Sequence, residues 1–293
     1  MKKIIAAVLA AAMALTFSGC RQNTHENGMK SYKIKEMDTD FIQLKPPTEG
    51  DKIAIIDTDY GEIRVVLYEK YAPNTVANFI KHAENGDYDN IPVKGVGTGR
   101  YFLTGGWEDK KGNYVGRTND DELVEDEYNV NLWPFMGALL GFSDQAGYSD
   151  ARWVIVNNDE ENLTEDAINE LKDTVRDLED DTEREKLLTL YDKFYEIGGL
   201  FDRAGENTVY GQTYLGLDVV KKLTTIPADE DGEATETVMI KSVTISEFKE
   251  GDKTDTYPRE PLHPASDSGT STESDTESSS ESVSDDTSKG TEE

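Results

Sequence analysis

The sequence predicts a mainly β protein built on an antiparallel sheet, and three observations support this fold class. A β-hairpin pattern opens the domain, and a series of short strand-like runs follows it. Short helical patterns are few, which favours a closed antiparallel architecture over repeated strand–helix–strand units. One long helical segment between two of the strands departs from this pattern and predicts an inserted helical hairpin.

The hairpin lies in IAIIDTDYGEIRVVLY. Two runs rich in β-branched residues, Ile53–Asp57 and Glu62–Leu67, flank a short turn that contains Gly61. Glycine can take the positive φ that such a turn needs. Later runs predict further short strands: TGRYFLTG, GALLGF, ARWVIV, NTVYGQT and TVMIKSVTISEF.

A first helix is predicted in APNTVANFIKHAENG, where Pro73 suits the first turn and Gly86 follows the end. Its apolar face consists of Val76, Phe79, Ile80 and Ala83. His82 is off this face, so we expect a solvent-exposed histidine. LGLDVVKKL predicts a second, shorter helix.

The inserted helical hairpin covers residues 157–199. Asn162 with Glu165, and Thr182 with Glu185, have the spacing of capping pairs at two helix starts. Each start precedes apolar residues at helical spacing. We expect the insertion to pack on the sheet, and docking of a partner is the alternative role.

The ends of the chain predict export and anchoring. Residues 1–19 have the layout of a lipoprotein signal peptide, with Lys2 and Lys3 before an apolar run and small residues before Cys20. Cys20 is predicted to be lipidated, with a polar tether over residues 20–50 and the folded domain over residues 51–249. Residues 250–293 are predicted to form a disordered, acidic tail rich in Ser and Thr. The expected location is the outer face of a bacterial cytoplasmic membrane.

Charge and composition exclude several functions. The chain has 60 Asp and Glu against 30 Lys and Arg, a net charge of −30, so nucleic-acid binding is not expected. His25, His82 and His263 lack metal-ligand spacing, and no metal or cofactor is expected. The acidic run between Asp120 and Glu127 predicts a solvated loop.

The order of these motifs resembles the cyclophilin family of peptidyl-prolyl cis-trans isomerases. The similarity covers residues 51–248, with APNTVANF and NTVYG followed by DVV as its most specific matches. It implies an eight-stranded antiparallel β-barrel capped by two helices, here interrupted by the helical hairpin. It also implies isomerase activity on proline-containing segments.

The resemblance places the family's catalytic arginine at Gly95. Two other arginines, Arg100 and Arg152, are therefore the candidate catalytic residues, with ion pairing to the abundant carboxylates as the alternative for both. The resemblance further implies a proline pocket formed by Tyr101, Phe102, Thr104, Phe142, Ser143, Val154 and Asn207. The glycines around Arg100 lack the spacing of phosphate-binding loops.

Two functions follow from this reading. The first is a membrane-tethered isomerase that acts on exported proteins, with a divergent active site. The second is a barrel with little or no catalysis that binds extended peptides or a protein partner. A purely structural role of the helical hairpin is a third alternative.

Overall fold

The structure is a computed structural model that describes residues 32–116, 123–255 and 259–263. Its strands are β1 Lys52–Thr58, β2 Gly61–Leu67, β3 Ile91–Pro92, β4 Gly95–Gly97, β5 Tyr101–Thr104, β6 Trp107–Glu108, β7 Tyr114–Val115, β8 Val124–Glu125, β9 Ala138–Gly141, β10 Tyr148–Ser149, β11 Trp153–Val156, β12 Val209–Leu215 and β13 Met239–Glu247. Its helices are α1 Pro73–Glu84, α2 Glu165–Val175, α3 Asp181–Ile197 and α4 Leu217–Leu223. The mainly β class is confirmed.

Nine strands form the main sheet in the order β3-β13-β1-β2-β12-β9-β11-β5-β4, and all of its pairs are antiparallel. Within the described residues the main sheet has nine strands rather than the predicted eight. Residues 91–97 form two short strands, β3 at one edge of the sheet and β4 at the other. The backbone nitrogen of Val93 donates to Val238 on one side, and that of Lys94 donates to Leu103 on the other. The sheet therefore curls until its edges are joined by consecutive residues.

The predicted hairpin is confirmed as β1 and β2. Gly61 has a φ of 132°, and the Thr58 hydroxyl donates to its carbonyl at 2.7 Å. Side chains alternate between the faces of β1: Ala54 and Ile56 face the inner core, which contains the buried sides of α1 and α4. Ile53 faces a second apolar cluster on the opposite side of the sheet, here called the outer cluster.

Helix α1 begins at Pro73 as predicted and packs its apolar face into the inner core. The backbone nitrogens of Asn74 and Thr75 donate to the Glu127 carboxylate at 3.2 and 2.8 Å. A carboxylate is stabilised there because the first turn of a helix presents unpaired N–H groups. The prediction of a solvated acidic loop is therefore wrong at Glu127. It is also wrong at Asp126, which accepts from the Ser149 hydroxyl at 2.8 Å.

His82 corrects another prediction. Its side chain is 2% exposed, and its Nδ1 lies 2.8 Å from the Asp87 carboxylate. The ring also lies against Tyr88 and Trp107, with centroid distances of 5.9 and 6.3 Å. The buried face of α1 is therefore wider than its apolar residues alone indicate, because the rings of Tyr88 and Trp107 also cover the helix at His82.

The inserted helical hairpin is confirmed as α2 and α3, but its caps differ from the predicted pairs. The caps are Thr164, which accepts from the nitrogen of Ala167, and Asp180, which accepts from that of Glu183. Thr164 and Asp180 compete successfully for these positions because both side chains accept hydrogen bonds in the first turn.

Residues 32–44 pack against the helical hairpin, which corrects the predicted polar tether for this part of the chain. Phe41 packs on Phe135, and Phe135 packs on Phe194 of α3, with ring centroids 5.4 and 4.7 Å apart. Lys186 donates to the backbone carbonyls of Lys35 and Met37 at 2.8 and 2.6 Å. This third apolar cluster, the hairpin core, forms because the segment contains large apolar side chains among its charges.

The segment after β13 also contacts the domain. The Asp255 carboxylate accepts from the nitrogen of Gly216 at 3.1 Å, before α4, and Arg259 donates to the carbonyl of Met136 at 2.6 Å. His263 stacks on Tyr195 of α3 with a centroid distance of 4.2 Å. The predicted signal peptide, Cys20 and residues 264–293 of the predicted tail lie outside the described residues. Over the part of the chain that the structure covers, no helix has the length and apolarity to cross a membrane.

Candidate functional site

A small, half-open pocket lies on the outer cluster, where β9, β11 and β5 lie side by side. Each strand contributes one side chain to its wall, and Val154 pairs directly with Leu140 across β11 and β9. Phe142 comes from the loop after β9, and three more side chains come from the segment between α3 and β12. The lining residues are Tyr101, Leu140, Phe142, Val154, Leu200, Arg203 and Asn207. The wall is thus apolar, with an amide and a guanidinium at two places.

The position of Tyr101 depends on the glycine-rich turn before it. A Cβ atom on Gly97 would lie 2.3 Å from Cε1 of the Tyr101 ring, so only glycine leaves room for the ring in this place. The ring is buried, and burial raises the pKa of the Tyr101 hydroxyl to about 12, although the nearby charges of Arg203 and Arg100 lower it. Tyr101 is therefore a neutral part of the pocket wall at physiological pH.

Asn207 is fixed at the pocket by a backbone contact. Its Nδ2 donates to the carbonyl of Gly141 at 2.7 Å, at the end of β9. Tyr101, Phe142, Val154 and Asn207, four residues that the resemblance implies, thus meet in one wall. The amide group is a polar side chain of defined orientation beside an apolar cavity, which is an arrangement typical of ligand pockets.

Two other implied pocket residues face away. Phe102 lies in the inner core, on the opposite side of the sheet from Tyr101. The Thr104 hydroxyl donates to the carbonyl of Pro92 at 2.8 Å. Their assignment to the pocket wall is wrong because neighbouring residues of a strand point to opposite faces. Ser143, a third implied residue, is not among the lining residues either: it is buried in the loop after β9, where its hydroxyl contacts the carbonyls of Gln145 and Tyr148 at 2.8 and 2.7 Å.

Arg100, a candidate catalytic residue, is held by carboxylates below the pocket. Its Nη2 lies 2.8 Å from Oδ2 of Asp159 and 2.9 Å from Oδ2 of Asp202. These contacts join the turn before β5 to the start of the helical insertion and to the 3₁₀ turn Phe201–Arg203. Arg100 does not line the pocket, so ion pairing, the alternative reading of this residue, describes its place in the structure.

Arg152, the other candidate, is also ion-paired. Its side chain is 5% exposed and contacts the carboxylates of Asp150 and Asp144 at 2.7 and 2.8 Å. Its Cζ lies 5.0 Å from the ring centroid of Phe142 and 5.9 Å from that of Tyr114. The guanidinium therefore supports the Phe142 ring, while the ring itself lines the pocket.

Gly95 lies on β4 opposite Leu103 of β5. A Cβ atom there would lie 3.2 Å from the Cβ of Leu103, so a larger residue would press on the strand that bears Tyr101. The arginine that does line the pocket is Arg203, which sequence reasoning did not select.

Three lining residues were missed: Leu140, Leu200 and Arg203. Strand alternation offered a signal for Leu140, since it lies two residues before Phe142. Arg203 is adjacent to Asp202 in a segment that the resemblance covers, but its direction depends on the 3₁₀ turn that follows the insertion. Within residues 32–116, 123–255 and 259–263, no group of three or more His, Cys, Asp or Glu side chains could hold a metal ion.

Comparisons with known proteins agree with this architecture. Residues 53–245 match the model of the cyclophilin type peptidyl-prolyl cis-trans isomerase/CLD family. A provisionally named peptidyl-prolyl cis-trans isomerase of Staphylococcus aureus (strain COL) is 24% identical over 203 residues, which are 69% of this chain and 96% of that protein. A provisionally named bifunctional phosphatase/peptidyl-prolyl cis-trans isomerase of Streptococcus pyogenes serotype M6 is 31% identical over 125 residues, 42% of this chain and 26% of that protein.

Among solved structures, the cyclophilin type peptidyl-prolyl cis-trans isomerase of Cryptosporidium parvum covers 67% of this chain and 98% of its own, with a TM-score of 0.48 and 16% identity. The family model spans the sheet from β1 to β13 and includes every strand that contributes to the pocket. Since this match extends over more than half of the sequence, the chain belongs to the family of cyclophilin-type peptidyl-prolyl cis-trans isomerases.

Proposed function

We propose that this protein is a peptidyl-prolyl cis-trans isomerase that acts on extended, proline-containing segments of exported proteins. The observation that supports this most directly is the apolar pocket on the outer cluster, at the place where the family resemblance puts the proline ring. Tyr101, Phe142 and Val154 supply apolar surface of the kind against which a pyrrolidine ring packs. Family membership supports the same reaction.

The reaction needs no nucleophile and no metal. Rotation about an X-Pro bond crosses a barrier of about 18–20 kcal/mol set by amide resonance, and the uncatalysed exchange takes roughly tens to hundreds of seconds. A protein accelerates it by holding the ring in an apolar pocket and by stabilising the twisted amide, in which the prolyl nitrogen becomes pyramidal. A fixed N–H donor aimed at the twisted amide supplies this stabilisation.

The divergence of the site is part of the proposal. The place implied for the family's arginine is Gly95, and Arg100 and Arg152 are both engaged by carboxylates outside the pocket. A pocket without an aligned donor would bind proline peptides with little catalysis, and that behaviour is the second candidate function. Both functions use the same wall, so binding alone does not separate them.

Location is proposed from the sequence. The predicted signal peptide and the lipid on Cys20 would anchor the chain to the outer face of a bacterial cytoplasmic membrane, where unfolded exported proteins emerge. The net charge of −30 supports peptide rather than nucleic-acid partners.

A protease-coupled assay tests the activity. The full-length chain is incubated with a succinyl-Ala-Ala-Pro-Phe anilide, of which only the trans form is cleaved, and affinity for the same peptide is measured by NMR titration. Exchange that speeds up in proportion to protein concentration is the expected result. Exchange at the uncatalysed rate together with saturable peptide binding would overturn the isomerase and support the binding module.

A further inference from the structure

Arg203 lies where a catalytic guanidinium would be needed. It ends the 3₁₀ turn Phe201–Arg203 and forms part of the pocket wall with Tyr101 and Asn207. Its side chain is 15% exposed, so it is largely shielded from solvent. A charge in this position acts in a low local dielectric, which strengthens its interaction with a bound amide.

The guanidinium is held in place by neighbouring carboxylates. Its Nη1 donates to Oε2 of Glu206 at 2.9 Å, and its Nε lies 3.8 Å from Oδ2 of Asp202. Both partners are close in sequence, but Asp202 is itself held by Arg100, so the direction of the side chain depends on this network. An arginine fixed in this way loses little further rotamer entropy when it donates to a ligand.

A second layer of contacts fixes Asp202. The Nη2 of Arg100 donates to the same Oδ2 atom at 2.9 Å and also contacts Asp159 at 2.8 Å. The charges of Arg203, Asp202, Arg100 and Asp159 therefore form a continuous chain from the pocket wall to the start of the helical insertion. Arg100 therefore helps to hold Asp202, and through it Arg203, although Arg100 itself does not line the pocket.

The chemistry of a guanidinium suits the twisted amide. It has five N–H donors in a planar fork, a geometry that matches a carbonyl oxygen or a pyramidal nitrogen. No covalent bond forms or breaks during the isomerisation, and the only requirement is a donor whose interaction strengthens as the amide twists.

We propose that Arg203 is the catalytic residue of this chain and replaces, from a different loop, the arginine absent at Gly95. It donates to the prolyl amide in the twisted state, and Glu206 and Asp202 are positioning residues. This proposal rests on the proposed isomerase function.

The test compares Arg203→Gln and Arg203→Lys in the full-length chain with Arg64→Gln and Arg64→Lys. Arg64 is a matched control because it lies on β2, is paired with Glu62 at 2.7 Å and is outside the pocket. The assay gives kcat and KM for the proline peptide, NMR titration gives its Kd, and urea unfolding checks the fold of each variant.

We expect Arg203→Gln to lower kcat by about 10²–10³-fold, with a change in Kd below about tenfold. Arg203→Lys keeps the charge but loses the fork, so its kcat is expected to fall between those of the wild type and the glutamine variant. The Arg64 variants are expected to keep wild-type kinetics. Glu206→Gln, a second variant that leaves the guanidinium in place, is expected to lower kcat with little change in Kd.

The outcomes separate the two proposals. An active wild type with Arg203→Gln and Glu206→Gln both within about threefold of its kcat would overturn the assignment of Arg203 and leave the isomerase standing. A wild-type chain that exchanges the peptide only at the uncatalysed rate would overturn the isomerase and Arg203's catalytic role together.

Discussion

Asp159 is a buried carboxylate whose titration should be measurable in the stability of the protein. It is 4% exposed, and burial raises its pKa above the usual value of 3.8 even though Arg100 lies beside it and lowers it. The nearby charge of Asp202 also raises it. Burial dominates because two carboxylates share the one guanidinium of Arg100, and neither regains the hydration it loses.

This shift predicts a pH dependence with a defined sign. A carboxyl with a raised folded pKa stabilises the fold fully below its unfolded pKa, and that contribution is lost as the pH rises through the folded pKa. Asp159→Asn does not titrate, so the stability of the variant relative to the wild type should increase as the pH rises above 3.8. Urea unfolding between pH 4 and pH 8 measures the difference.

Asp166→Asn is the control for Asp159→Asn. It removes an exposed carboxylate from α2 and so measures the effect of the same change in net charge without a change at a buried site. If the relative stability of Asp159→Asn falls with rising pH, the ion pair with Arg100 outweighs the burial of Asp159, and the stated cause of the shift is wrong.

Gly97 gives a second prediction at the residue scale. Because a Cβ at this position would overlap the Tyr101 ring, Gly97→Ala should displace the ring and destabilise the fold by about 1–3 kcal/mol, as overpacking does. Replacing the ring removes the conflict, so the double variant Gly97→Ala with Tyr101→Leu should be more stable than the sum of the single effects predicts. A double-mutant cycle of urea unfolding free energies measures this coupling. Additivity within about 0.5 kcal/mol would show that the ring and Gly97 are not in conflict.

At the scale of single elements, the hairpin core is the least expected feature. Phe41 is 3% exposed and packs edge-on against Phe135, although its segment is largely charged. Phe41→Ala should therefore lower the free energy of unfolding by about 3–5 kcal/mol. Tyr60→Ala, at an exposed site in the β1–β2 turn, is the control and should change it by less than about 0.5 kcal/mol. A loss below about 1 kcal/mol for Phe41→Ala would mean that residues 32–44 do not pack on the hairpin in solution.

The elements that sequence patterns predicted well are those with a complete local signal. The β1–β2 hairpin has a glycine turn, α1 has Pro73 and an apolar face, and the insertion has two helical repeats of apolar residues. The segment of residues 32–50 lacks such a periodicity, since its apolar residues are separated by charges and form only 3₁₀ turns. Its packing depends on the surface that α3 offers, which no local pattern encodes.

The residues of the candidate site also divide into those that the sequence predicts and those whose place depends on tertiary contacts. Tyr101, Phe142, Val154 and Asn207 follow from the resemblance because they occupy matching positions of a shared scaffold. Phe102 was misplaced although the alternation of β5 was readable from the sequence. Arg203 was missed for a different reason: the direction of its side chain depends on Glu206, on Asp202 and on the half-buried Arg100 that contacts Asp202. Such a network is a tertiary property.

At the scale of the whole molecule, the net charge of −30 bears on the proposed attachment to a membrane. Anionic lipid headgroups repel a surface of this sign, so electrostatic attraction cannot retain the domain there. A covalent anchor of more than one acyl chain can, because each buried CH₂ group contributes about 0.8 kcal/mol. We therefore expect the lipid on Cys20 to be the main attachment.

Cys20→Ser should release the protein from the membrane fraction of the producing bacterium. The wild type should stay in that fraction at both low and high salt, because its attachment is not electrostatic. Asn23→Ala, three residues further along, is the matched control and should remain attached. Phase separation in a nonionic detergent and immunoblotting measure the distribution, and the loss of the acyl chains can be checked by mass spectrometry. Retention of Cys20→Ser in the membrane at low salt with release at high salt would mean that charge, rather than lipid, holds the protein, against the sign of its own surface.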